Sequence, residues 1–216
     1  MSEKNDTGQV TIDVMKNGPI IVKGLQQFQN SRGEAVPMAK SVIALCRCGA
    51  SENKPFCDGT HSRINFSGDR ETDRPIDKVR DYVGEQITIH DNRTICAHAA
   101  TCVKNLPQVF RKNGRPWIAP DEGDVEAIID AVKQCPSGAL SYTIGGKHHE
   151  EKDLPETISI TKDGPYHITG DISIGDENGL QPPNKELYTL CRCGASKNKP
   201  FCDGSHYDAG FEDSEN

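Results

Sequence analysis

The chain has 216 residues, 34% of them hydrophobic, and a formal net charge of −7. Such an acidic chain without a basic stripe does not suit non-specific nucleic-acid binding, and its apolar runs are too short to span a bilayer. Residues 1–9 are polar and lack a signal-peptide pattern, so we predict a disordered N-terminus, a cytoplasmic location and no membrane contact.

The first third of the chain predicts a β-rich unit. Thr11–Val14 alternates apolar and polar residues, Asn17-Gly18-Pro19 breaks the chain, and Ile20–Val22 is a second extended run. A polar loop around residues 29–34 follows. Ser41–Leu45 then predicts the strand that leads into a first cysteine-rich motif.

The middle of the chain has a different character. Tyr82–Ile89 predicts a strand, and Ala99–Asn105 predicts one short helix. Residues 125–132 carry apolar side chains at helical spacing, and Leu140–Ile144 predicts a return strand. The order β-α-α-β is typical of a compact domain, and residues 145–152 are predicted to be a polar linker.

The last third repeats the order of the first. Thr157–Ile160, a turn, Tyr166–Ile168 and Glu186–Leu190 lead into a second cysteine-rich motif. This repeat predicts an α+β fold in which two small β-rich half-units pack as an intramolecular pseudo-twofold pair, with a middle domain inserted between them. The predicted segments are the N-terminus (1–9), half-unit 1 (10–66), the middle domain with linkers (67–147), a linker (148–155), half-unit 2 (156–211) and an acidic tail (212–216).

All nine cysteines fall into three groups of three. Their odd number and tight spacing favour metal ligands in a reducing compartment over a disulfide framework. A chain of modest hydrophobic content also gains stability from bound metal that its small cores do not supply. The sequence therefore predicts three metal centres.

Two of these groups are near-identical motifs with the spacing Cys-x-Cys-x8-Cys-x3-His. In the first motif the closely spaced cysteines can reach one iron while the third cysteine and the histidine reach another. The alternative is a structural zinc site, although Cys-x-Cys spacing is unusual for zinc. The candidate ligands are Cys46, Cys48, Cys57 and His61 in the first motif and Cys191, Cys193, Cys202 and His206 in the second.

Neighbouring residues of each motif suggest supporting roles. Asp58 and Asp203 lie where helix N-caps are expected, and such helices would aim backbone N–H groups at an anionic cluster. Arg47 and Arg192 either offset the charge of the cluster or point to solvent.

The sequence Cys57-Asp58-Gly59-Thr60-His61 and its counterpart from Cys202 to His206 resemble the signature of the CDGSH-type iron–sulfur (NEET) family. The resemblance implies one [2Fe–2S] cluster for each motif, held by three cysteines and one histidine. Family members with a single motif dimerise into a β-rich unit that bears two clusters. Two motifs in one chain imply a monomer with an internal pseudo-dimer.

The third group consists of Cys96, Cys102 and Cys135-Pro136. Residues 80–145 resemble a divergent single-cluster ferredoxin domain, in which Cys-x5-Cys and Cys-Pro-Ser-Gly-Ala-Leu recur together with a Pro-Trp-Ile element. Three cysteines fit a [3Fe–4S] cluster, and a [4Fe–4S] cluster needs a fourth ligand, for which His98 is the nearest candidate. The alternatives are a solvent-facing or capping His98 and three buried free cysteines.

These features predict a multi-cluster electron carrier rather than an enzyme, because no dinucleotide fingerprint, P-loop or nucleophile elbow is visible. We expect a redox partner protein, either a reductase or an acceptor. Two other functions stay open: cluster storage, transfer or redox/pH sensing through the single histidine ligands, and a structural zinc-binding module.

Overall fold

The computed structural model describes residues 9–73, 75–150, 153–214 and 216. The predicted disorder of residues 1–8 and two residues of the predicted linker, 151 and 152, lie outside this range. The regular secondary structure of the described residues is mostly strand with few helices, as an α+β assignment allows. No helix among them is long and apolar enough to cross a membrane. The strands are β1 (Thr11–Val14), β2 (Ile20–Lys23), β3 (Phe28–Gln29), β4 (Val42–Leu45), β5 (Val79–Val83), β6 (Thr88–Asn92), β7 (Leu140–Ile144), β8 (Lys147–His149), β9 (Thr157–Ile160), β10 (Tyr166–Thr169), β11 (Ser173–Asp176) and β12 (Leu187–Leu190), and the α-helices are α1 (Thr60–Arg63), α2 (Thr101–Asn105) and α3 (Val125–Lys133).

Two four-stranded sheets exchange strands between the sequence repeats. The first has the order β11-β1-β2-β4, so a strand from the second repeat completes the sheet of the first. The second has the order β12-β10-β9-β3, which is the reciprocal exchange. Both exchanged strands pair in parallel, Thr11 with Ser173 and Phe28 with Ile158. The two repeats are therefore not separate half-units, because each completes the sheet of the other.

A single hydrophobic core lies between these two sheets. Alternate residues of each strand point inward, so that Ile12 and Val22 from one sheet and Ile158 and Ile168 from the other are fully buried. Burying each such side chain stabilises the fold by about 1.5–3 kcal/mol relative to leaving it exposed. The shared core fixes the ends of β4 and β12, from which the two cysteine-rich motifs begin.

The middle domain is a third sheet, β5-β6-β7-β8, covered by α2 and α3. Its apolar residues form a second core around Ile89, Phe110 and Ile128. Helix α3 begins where Asp124 accepts hydrogen bonds from the backbone N–H groups of Glu126 and Ala127.

Several predicted elements are wrong in detail. Tyr82–Ile89 is not one strand, because the chain turns at Gly84, whose N–H donates to the Ile87 carbonyl at 3.0 Å, and β5 and β6 form a hairpin. The predicted linker begins inside a strand, since β8 pairs with β7 and the His149 ring stacks on Tyr142 at 4.9 Å. Strands β3 and β11 are too short and too polar to show in a sequence pattern.

Candidate metal centres

The first cysteine motif is a loop that folds back on the strand that delivers it. The N–H of Cys46 donates to the Pro55 carbonyl at 2.9 Å, and the N–H of Cys57 donates to the Ala44 carbonyl at 2.8 Å. These two bonds bring the distant third cysteine beside the first pair. The Sγ atoms of Cys46 and Cys48 lie 3.6 Å apart, and the Sγ of Cys57 lies 3.3 Å from Nδ1 of His61.

The second motif repeats this geometry. The N–H of Cys191 donates to the Pro200 carbonyl at 2.8 Å, and the N–H of Cys202 donates to the Thr189 carbonyl at 3.1 Å. The Sγ atoms of Cys191 and Cys193 are 3.8 Å apart. Nδ1 of His206 lies 3.5 Å from the Sγ of Cys202. In both motifs Nδ1 is therefore the histidine nitrogen on the side of the cysteines.

The spacing within each ligand pair fits side chains that bind one metal ion together. Two thiolates on one tetrahedral ion at about 2.3 Å stand about 3.7 Å apart, and replacing one of them by an imidazole nitrogen shortens the separation. Each observed pair has this spacing. In the described part of the chain, no group of three or more His, Cys, Asp or Glu side chains gathers around one ion position. Each motif therefore offers its ligands as two pairs.

Backbone N–H groups around the motifs point at sulfur. The N–H of Gly59 lies 3.5 Å from the Sγ of Cys57, and that of Gly204 lies 3.4 Å from the Sγ of Cys202. Both glycines have φ near +87°, a conformation that favours glycine and aims the N–H inward. Such donors stabilise thiolates and reduced, more negative clusters.

The predicted helix N-caps at Asp58 and Asp203 are wrong. The first short helix begins after Gly59, which acts as its N-cap without a side-chain bond, and residues 205–210 form only turns. Asp58 instead joins two parts of its motif loop, accepting from the N–H groups of Thr60 and Glu52, each at 2.9 Å. These two bonds lower the pKa of Asp58 well below its usual range. Asp203 makes the equivalent bonds to Ser205 and Lys197.

Arg47 and Arg192 do not point to solvent. Both side chains are buried and turn away from their own motif. Arg47 donates to the carbonyl oxygens of Gly18 at 2.8 Å and Met15 at 2.6 Å. Arg192 donates to the Gly164 carbonyl at 2.8 Å and forms a buried ion pair with Asp213. Each guanidinium therefore fixes the turn between the first two strands of its own repeat.

The third group of cysteines lines one cavity in the middle domain. Cys96, Cys102 and Cys135 all contribute to its wall. Burial raises the pKa of the Cys102 thiol to about 11, with smaller contributions from Cys135 and Cys96. An iron cluster would displace these protons on binding. Three thiols around one cavity fit a cluster with at least three cysteine ligands.

Arg93 and Asp91 form the polar part of this cavity. The guanidinium of Arg93 lies 3.4 Å from the Sγ of Cys96 and 4.0 Å above the Trp117 ring. The indole N–H of Trp117 donates to Asp91 at 3.1 Å. Sequence reasoning missed Arg93 and Asp91, because they lie outside the Cys-x5-Cys pattern and only the fold brings them to the cavity.

Comparison with known proteins agrees with this geometry. A family described as iron-binding zinc finger CDGSH type matches residues 17–62 and 163–207, and one described as divergent 4Fe-4S mono-cluster matches residues 82–145. The chain belongs to the CDGSH-type iron-binding family. It carries two CDGSH units that flank a divergent 4Fe-4S mono-cluster domain, and it is an iron–sulfur cluster-binding protein.

Two curated relatives match one part of the chain. Both are named "Uncharacterized protein YjdI", one from Escherichia coli strain K12 and one from Escherichia coli O157:H7. Each is 43% identical over 63 residues, which is 29% of this chain and 83% of the relative. These relatives therefore resemble a segment of the CDGSH protein and not its tandem arrangement.

The two CDGSH sites differ in their surroundings. Cys57 and His61 of the first site are partly exposed, whereas Cys202 and His206 of the second are buried, at 2% and 5% exposure. The second site is covered by the 4Fe-4S mono-cluster domain and the chain before it. Asn198 donates to the Thr94 carbonyl at 2.9 Å, and the Glu71 N–H donates to the Lys197 carbonyl at 2.8 Å.

His98 lies on the surface that covers the second CDGSH site. Its backbone has φ of 56°, its residue is exposed overall, and its ring packs against Gly204. His98 also borders the cavity of Cys96, Cys102 and Cys135. Its predicted role as a fourth ligand stays a prediction, and so does the alternative of a solvent-facing or capping side chain.

Proposed function

We propose that this CDGSH protein is a one-electron carrier with three iron–sulfur clusters and no catalytic activity of its own. The single observation that carries the proposal is the paired geometry of the ligands, repeated in two motifs of one molecule. Bound clusters would supply reversible one-electron chemistry. The proposed clusters are one [2Fe–2S] at Cys46, Cys48, Cys57 and His61, one [2Fe–2S] at Cys191, Cys193, Cys202 and His206, and one [3Fe–4S] or [4Fe–4S] at Cys96, Cys102 and Cys135.

The protein residues have separate tasks in this proposal. The cysteine pairs and the Nδ1 atoms of His61 and His206 hold the irons. The N–H groups of Gly59 and Gly204 stabilise negative charge on sulfur. The shared core between the two sheets keeps both ligand loops rigid, which lowers the reorganisation that accompanies each change of charge.

We also propose that the two CDGSH units form a pseudo-twofold pair within a monomer. The reciprocal exchange of β3 and β11 supports this arrangement, since each repeat donates one parallel strand to the other. The antiparallel bridge between Cys48 and Cys193 supports it as well, because equivalent residues of the two motifs face each other there. In a sedimentation experiment, we expect the cluster-loaded protein to behave as a monomer.

An acidic redox protein is the partner that we propose. A cleft between the mono-cluster domain and the second CDGSH unit is lined by four cations, Arg93, Lys104, Lys112 and Lys197, and by two carboxylates, Glu71 and Asp203. Among the described residues none of the three lysines forms an ion pair. This positive surface on an acidic chain would steer a negatively charged carrier towards two cluster sites.

A reducing cytoplasm is the compartment that we propose, because it suits nine cysteines that are all free thiols.

Two measurements test the carrier function. They are an analysis of metal and sulfide content and a reductive titration followed by EPR. Anaerobically purified protein should contain iron and sulfide in equal amounts, or a small excess of sulfide if the third cluster is [3Fe–4S]. It should also show two similar signals and one distinct signal as electrons are added. Zinc in place of iron, or clusters that accept no electron at accessible potentials, would rule out the carrier function.

Cluster donation is the second candidate function. It is favoured by the partial exposure of Cys48, Cys57 and His61, because an accessible cluster is easier to release. Mixing the loaded protein with an apo-ferredoxin tests this idea. Transfer should empty the exposed first site before the buried second site, and retention of all clusters would exclude donation.

A further inference from the structure

The glycine before the last ligand has opposite surroundings in the two CDGSH sites. Gly59 and Gly204 have the same backbone conformation, with φ of 87° and 88°. A methyl group built on Gly59 would meet no heavy atom of the described residues within 4 Å. The same group on Gly204 would lie 2.8 Å from Cγ and 2.9 Å from Cβ of His98. The imidazole of His98 therefore occupies a place at the second site that is open at the first.

His98 lies between the metal site of the mono-cluster domain and the second CDGSH site. It lies two residues after Cys96, a proposed ligand of the mono-cluster domain, and both border the same cavity. Gly204 lies between Cys202 and His206, two proposed ligands of the second CDGSH site. The bond from Asn198 to the Thr94 carbonyl holds the same two surfaces together.

We propose that the mono-cluster domain and the second CDGSH site form one directly coupled electron-transfer pair, with His98 on Gly204 as the bridging contact. The inference rests on the proposed carrier function and adds an internal route to it. One electron leaves the reduced cluster of one site, which is oxidised, and reduces the oxidised cluster of the other, while no bond forms or breaks. An external one-electron donor, dithionite in the test, supplies the electron.

EPR of the fully loaded, dithionite-reduced protein tests the coupling. Two reduced clusters in contact through one side chain should broaden or split each other's signals. We expect this interaction between the mono-cluster signal and one CDGSH signal. The variant Gly204→Ala, whose methyl group displaces His98, should lose the interaction.

Gly59→Ala is the matched control. Both substitutions place an alanine in the left-handed conformation and so cost similar strain, but only Gly204→Ala meets His98. Gly59→Ala should leave the interaction unchanged. A second pair of variants tests the same contact if Gly204→Ala fails to fold. Asn198→Ala removes the hydrogen bond to the Thr94 carbonyl. Asn53→Ala is its control, because Asn53 is the equivalent residue of the first motif and is exposed.

The outcomes separate the two proposals. One result is that all clusters accept electrons while their EPR signals show no interaction, and another is that the interaction persists in Gly204→Ala. Either result makes the coupled pair wrong and leaves the carrier function standing. If no cluster can be reduced, the carrier function fails and the coupled pair falls with it. Hydrogen exchange gives a readout without electrons: faster exchange around residues 94–98 in Gly204→Ala, but not in Gly59→Ala, confirms that the contact was loosened.

Discussion

Tyr166, from the second repeat, donates its hydroxyl to the carbonyl of Cys46 in the first motif at 2.8 Å, and the same hydroxyl lies 3.0 Å from the Pro55 carbonyl. The ring is fully buried in the core between the two sheets. Its counterpart in the first repeat is Ile20, which has no hydroxyl. The second repeat therefore supports the ligand loop of the first by a bond that is not returned.

Tyr166→Phe should weaken the first CDGSH site. The substitution leaves two buried carbonyl groups without this donor, which costs about 1–3 kcal/mol of the free energy of unfolding. Urea denaturation of the loaded protein measures the loss, and the first cluster should be released sooner on dilution into chelator. Tyr188→Phe is the control, because the Tyr188 hydroxyl donates to the Ile172 carbonyl at 3.1 Å and not to a carbonyl of the first ligand loop. Equal cluster release in both variants would contradict the role of Tyr166.

Asp213→Ala should destabilise the protein strongly. Asp213 and Arg192 form an ion pair whose side chains are 3% and 0% exposed. Removing one partner of such a pair leaves an uncompensated buried charge and costs about 3–5 kcal/mol. Chemical denaturation measures this loss. Asp13→Ala breaks an exposed pair with Lys23 and should cost about 1 kcal/mol or less. Similar losses in both variants would show that breaking the buried pair with Arg192 does not cause the loss of stability in Asp213→Ala.

Cys135→Ala should remove one cluster and spare two. Cys135 borders only the cavity of the mono-cluster domain, and both CDGSH ligand sets lie outside that cavity. The variant should lose the distinct EPR signal and the corresponding iron and sulfide, while both CDGSH signals remain. Cys57→Ala is the converse variant and should remove one CDGSH signal only. Loss of all signals from either variant would contradict three separate centres.

The closeness of the paired side chains in each motif could be predicted from the sequence, because short spacing brings them together. Cys46 and Cys48 are one residue apart, and the Cys57 to His61 interval brings the second pair together in any tight turn. The partner of Arg192 could not be predicted in this way. Asp213 lies in a segment that reads as a simple acidic tail, and only the tertiary fold shows that it is buried.

The exchange of strands between the two repeats could not be predicted from the sequence for a similar reason. A repeat predicts that two like units pack together, but it does not say which strands pair. Strand β3 has two residues and β11 contains Gly175, so neither has a usable pattern. Their pairing is decided by long-range contacts in the shared core. The contact of His98 with Gly204 also depends on how the inserted domain docks, which no local pattern encodes.

His167 should make stability depend on pH. It lies in β10, its Nε2 is buried without a hydrogen-bond partner, and burial lowers its pKa below the ordinary value of 6.5. Just below that pH the unfolded chain therefore binds more protons than the folded chain at this residue. The free energy of unfolding should rise with pH through this window and become level above it.

His167→Phe tests this dependence without a change of ring packing. Thermal unfolding of both proteins between about pH 5 and 8 should show a smaller loss of stability on the acid side for the variant. His90→Phe is the control, because His90 bonds Asp81 at 2.7 Å and Thr143 at 2.8 Å and lacks a buried unpaired nitrogen. An acid-side slope in His167→Phe as steep as in the unaltered protein would assign the pH dependence to other groups.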